Sequence, residues 1–96
     1  MMFLNAKYVV VSYRENAYLE KIFPFDNSIQ HSAMFEILKS AGFDSVVSAG
    51  FIDEFMQCYG SSTSLRANSR PAEDTKLLKS MFSIDDKEII FDSEDR

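Results

Sequence analysis

Tryptophan is missing from this sequence, and cysteine and histidine occur once each, as Cys58 and His31. A single cysteine excludes an intramolecular disulfide and with it the disulfide-stapled secreted scaffold, so a reducing compartment is expected. One His, one Cys and scattered carboxylates give no metal-ligand spacing, and neither a metal nor a cofactor is expected. The acids near the C-terminus lack the alternating spacing and central glycine of a calcium loop. Only three glycines are present and no Gly-Lys-[Ser/Thr], which excludes a P-loop. No apolar run approaches the ~20 residues that span a bilayer. Met1 to Lys7 lacks the basic start and long apolar run of a signal peptide. The expected address is therefore the cytoplasm, with no membrane partner.

What is present is a core-forming composition. Hydrophobic residues make up 46% and charged residues 26%, with nine Phe and four Tyr among 96 residues. This is the composition of one globular domain with a Phe-rich core. The formal net charge is −5, and its placement is uneven. Residues 85–96 hold two bases and six acids, whereas the rest of the chain is close to neutral. A neutral body argues against a nucleic-acid partner. The expected organisation is a single domain over 1–91 and a frayed acidic tail over 92–96.

Lys7 to Tyr13 is β-branched and aromatic and predicts a strand. After the polar break Arg14-Glu15-Asn16, residues 17–23 predict a second strand, paired as a hairpin and ended by Pro24. Asp26, Asn27 and Ser28 are N-cap candidates for a helix over 28–41. Its apolar stripe is Ile29, Ala33, Met34, Ile37, Leu38 and Ala41, with Gly42 as the C-terminal stop. Ser45 to Ile52 predicts a third strand, and Phe55 to Tyr59 a fourth, extending toward Leu65 past a kink at Gly60. Pro71 opens a second helix, with Leu77, Leu78, Met81 and Phe82 as its stripe. Residues 87–92 can form a short fifth strand. The fold class is α+β in the order ββαββα, an antiparallel sheet with both helices on one face.

Catalysis finds little support. Cys58 and His31 would have to meet in space to work as a nucleophile and base. The ordinary reading is a small buried thiol at Cys58 and a surface position at His31, so no catalytic residue is assigned. Binding has more to draw on. Gly60 to Arg66 is rich in hydroxyl groups, and Arg66 and Arg70 carry planar forks suited to carboxylates or phosphates. The expected binding residues are Tyr59, Ser62, Ser64, Arg66 and Arg70. Phe35 joins them as an exposed aromatic opposite the apolar stripe.

The residues Ser48-Ala49-Gly50-Phe51, Cys58-Tyr59-Gly60, Ser62, Ser64-Leu65, Ser69-Arg70-Pro71, Asp74 and Leu77-Leu78 resemble the C-terminal half of a family of small proteins encoded by phages and prophages. The likeness covers about residues 7–80 and includes Phe23-Pro24 ahead of the helix near His31. It implies a phage setting, and hence a host cytoplasm, without implying a mechanism. The expected function is a non-enzymatic binding protein that contacts another protein, as a modulator or inhibitor of a host protein. A homodimer is compatible with that reading. The alternative is a small-ligand or nucleotide-binding domain built around residues 59–70.

Overall fold

The computed structural model describes residues 6–81. A four-stranded antiparallel sheet has the order β2-β1-β3-β4. Its strands are β1 (Ala6–Tyr13), β2 (Glu20–Phe25), β3 (Phe43–Ile52) and β4 (Cys58–Tyr59). A small hairpin, β5 (Ser61–Ser62) with β6 (Ala67–Asn68), leans on β3. One helix, α1 (His31–Ser40), joins β2 to β3. A second, α2, is helical over 71–81. The chain is thus a small α+β domain. The order departs from ββαββα because the expected fourth strand breaks at Gly60, and the chain after it folds back on itself as a hairpin.

The Val9-Val10-Val11 run is buried on both sides, and side chains alternate between two cores. Tyr8, Val10, Ile22, Ile52, Cys58 and Leu78 form one cluster. Val9, Val11, Phe25, Leu38, Phe43 and Ala49 form the other. Leu78 lies on α2 and Leu38 on α1, so the helices cover opposite faces of the sheet. The expectation of both helices on one face fails for this reason: an apolar strand without polar alternation needs cover on both sides. Against β3, β1 slips register at Val10/Val11 and again at Ser12/Tyr13, which curls the sheet.

Pro24, expected to end the second strand, instead pairs with Tyr8 inside β2. β2 is an edge strand, where a missing N–H on the outer side breaks no ladder bond. The strand starts later than expected, at Glu20, because Tyr13 to Leu19 forms a closed turn in which the Tyr13 N–H donates to the Leu19 carbonyl at 3.3 Å. Tyr18 is left 95% exposed in that turn.

α1 also starts later than expected. Asp26 caps its own turn, accepting from the Ser28 N–H at 2.9 Å, and leaves Gln30 as the N-cap residue without a side-chain bond. The buried stripe is His31, Met34, Phe35 and Leu38, rotated away from Ala33, Ile37 and Ala41. Ile37 is 62% exposed. Gly42 closes the helix at φ 101°, the left-handed stop its position predicted.

Pro71 opens α2 as expected, and the start of the helix is tied down by an internal acid. Asp74 is fully buried. Its carboxylate accepts from the Tyr8 hydroxyl at 2.5 Å, the Arg70 N–H at 2.8 Å and Arg70 Nε at 3.0 Å. The Arg70 guanidinium also reaches Glu20 on β2 at 3.0 Å. Burial works against the Arg70 charge, but the Glu20 and Asp74 carboxylates outweigh it and hold the guanidinium above its usual range. Burial and the adjacent Asp74 push the Tyr8 phenol well above its ordinary value. The expected strand at 87–92 and tail at 92–96 lie outside the described residues. Among those described, no helix is long and apolar enough to cross a membrane.

Candidate functional site

Three chain segments meet at one end of the sheet: the start of α1, the end of β3 with β4, and the β5–β6 hairpin. Gly50 makes the meeting tight, since a Cβ there would stand 2.3 Å from the Tyr59 carbonyl oxygen. Between the segments lies an open cleft of about 510 Å³, lined by Lys7, Gln30, His31, Phe51 and the run Tyr59 to Ser64.

The floor is a row of rings. Phe25 packs edge-on to His31 at 5.5 Å, His31 edge-on to Phe51 at 5.6 Å, and Phe51 against Tyr59 at 5.8 Å. Only Tyr59, 45% exposed, faces solvent strongly. The row is fixed at its centre by His31 Nε2, which donates to the Gly50 carbonyl at 2.9 Å. Burial pushes the His31 pKa down and Lys7 adds to this, while the Gly50 bond works the other way. A neutral imidazole with its proton on Nε2 fits this setting.

Hydroxyl groups form one wall. The Ser62 hydroxyl is buried and accepts from the Leu65 N–H at 3.2 Å, shaping the hairpin turn. Ser64 Oγ accepts from the Ser32 N–H of α1's first turn at 3.3 Å. That turn carries no acidic residue. Lys7 sits at the rim, its ammonium donating to the Ile29 carbonyl at 2.8 Å.

Of the residues expected to bind, Tyr59, Ser62 and Ser64 are brought together here, with Ser62 serving as the brace of the wall. The other three are not. Arg70 is committed to Glu20 and Asp74. Arg66 lies in the hairpin turn outside the cleft lining, at φ 53° and exposed, with no side-chain partner among the described residues. Phe35, expected on the outer face of α1, is half-buried in the core with Lys39 Nζ 5.6 Å from its ring centre. His31, expected at the surface, is 5% exposed. Both reversals follow from the rotation of α1.

Lys7, Gln30, His31 and Phe51 were missed as cleft residues. For Lys7 a signal existed, since alternation along 7–13 sets it on the same face as Val9 and Val11. For the others none did, because the cleft arises from three segments distant in sequence.

Cys58 and His31 lie on opposite faces of the sheet, Cys58 under α2 and His31 on α1 itself, so they form no nucleophile–base pair. The Cys58 thiol is buried, and desolvation raises its pKa to about 11. No three His, Cys, Asp or Glu side chains gather as a metal site among the described residues. No family model, curated protein or solved structure matches the chain.

Proposed function

We propose that the chain is a non-enzymatic binding domain that recognises a segment of another protein in the cleft beside Tyr59. The observation that carries this reading is the exposed Tyr59 ring at the end of a fixed row of rings. An aromatic held by packing loses little side-chain freedom on binding, and such residues dominate the energetics of protein interfaces. The exposed hydroxyls of Ser61, Thr63 and Ser64 supply adaptable hydrogen bonds beside it. The resemblance to phage and prophage proteins makes a host protein the partner to test first, with modulation or inhibition as the outcome.

The experiment is affinity capture from host lysate, followed by calorimetry on the purified partner. Tyr59→Ala is expected to weaken binding by about 2 kcal/mol, the range of an interface anchor, with the melting temperature unchanged. Equal affinity in wild type and Tyr59→Ala would remove the cleft from consideration.

A second reading has one observation in its favour. The first turn of α1 lacks acids and opens toward Lys7 and Ser64, a setting that tolerates an anionic small ligand such as a nucleotide. Titration with nucleotides and inorganic phosphate, read by NMR shifts of Ser32 and Ser64, separates this from protein recognition.

A further inference from the structure

A groove runs between β2 and α2, away from the cleft. Glu20, Ile22 and Phe23 make one wall and Leu77 and Met81 the other, and most of its surface is apolar. β2 is the end strand, so the backbone groups on its outer side meet no described strand. Natural sheets cover such edges.

The course of α2 says what covers this one. The helix crosses the sheet from Thr75, whose hydroxyl accepts from the Cys58 N–H at 2.9 Å, to Met81 at β2. The described helix therefore ends at the mouth of the groove. The segment after it, residues 82–96, carries Ile89, Ile90 and Phe91 among its acids. The five residues 82–86 reach up to about 16 Å when extended, ample for a reversal onto a neighbouring edge about 5 Å away. Charge agrees as well. Lys21 on β2 and Lys76 and Lys79 on α2 are exposed and have no carboxylate partner among the described residues. Asp85, Asp86, Glu88 and Asp92 bracket the apolar triplet.

We propose that residues 87–91 of the chain's own C-terminal segment occupy this groove, joining their backbone to the outer side of β2. Ile89 and Phe91, which fall on one side of an extended backbone, fill the space against Leu77 and Met81. The acids lie beside Lys21 and Lys79. This surface is independent of the cleft and stands or falls separately from the binding function proposed there.

The test compares the full chain with one ending at Asp86, by native-state hydrogen exchange of the β2 amides together with light scattering. In the full chain, outer β2 amides are expected to exchange at least about tenfold more slowly, in a monomer, because a covered edge opens only when the segment leaves. Equal exchange in the two chains overturns the proposal. Protection found only in a particle of twice the mass also overturns it, since the occupant is then a second copy. Should the shortened chain not fold, a nitroxide on Ser93→Cys in a Cys58→Ala background gives the answer. It is expected to broaden the NMR signals of Lys21 to Phe23 and leave that of Tyr59 sharp. No selective broadening overturns the proposal.

Discussion

Arg70 and Glu20 stand 50 positions apart in the chain, and a guanidinium nitrogen of one lies 3.0 Å from a carboxylate oxygen of the other. The same guanidinium grips the fully buried Asp74, which also takes the Tyr8 hydroxyl. Four side chains from β1, β2 and the start of α2 thus close one polar knot under the sheet. Buried charge is tolerable only while every partner is present.

Removing the acid at the centre should therefore be costly. Asp74→Ala is expected to destabilise the fold by about 3–5 kcal/mol, as for other buried pairs that lose one member. Glu20→Gln, which is part-exposed and keeps a hydrogen-bonding oxygen, is expected to cost about 1 kcal/mol. Denaturant unfolding of both variants checks the ranking. Comparable losses would mean that the knot is not centred on Asp74.

Acid sensitivity has a direction set by His31. Its pKa is lowered in the fold, chiefly by burial. The unfolded chain, with His near 6.5, then binds the proton more readily than the native state. The contribution of His31 to stability is complete above about pH 6.5 and declines as pH falls below it. His31→Gln is expected to flatten that decline between about pH 7 and 5, seen in melting curves at stepped pH. A decline of the same slope in the variant would assign it to carboxylates instead.

Two adjacent residues of α1 report its orientation. Leu38→Ala is expected to cost about 2–5 kcal/mol, because Leu38 is buried among Phe25, Phe43 and Val11. Ile37→Asp, at an exposed position, is expected to change stability by no more than about 1 kcal/mol. Unfolding of the Ile37→Asp protein would place the helix in the rotation that its apolar periodicity suggested.

Part of this fold is written in local sequence signals. Lys7 to Tyr13, Gly42 and Pro71 were legible because each acts through its own backbone or its neighbours. The rotation of α1 was not, because Ile37 and Ala33 look as apolar as the residues that are buried. His31 won the inner face through a ring that fits between Phe25 and Phe51 and through the Gly50 carbonyl, all supplied by the sheet, and the same rotation packs Phe35 against the core. Asp74 was equally hidden. An acid in the first turns of a helix ordinarily answers the helix dipole in solvent, and only the arrival of Tyr8 makes it an interior residue. In the candidate site, Tyr59, Ser62 and Ser64 could be found by their unusual local composition. Their companions His31 and Phe51 could be placed only once the sheet was closed.

The central place of β1 has a consequence for how the protein is made. Val9, Val10 and Val11 leave the ribosome before either strand that will flank them, and the Ala6–Ile52 pairing that completes the contact with β3 waits for another 46 residues of synthesis. Until then the most apolar stretch of the chain lacks its β3 edge, and the face under α2 stays bare longer still, the condition in which nascent chains stick to one another. Such distant pairing also slows folding relative to local contacts. The yield of soluble protein should therefore respond more to chaperone supply and growth temperature than the stability of the finished fold would suggest.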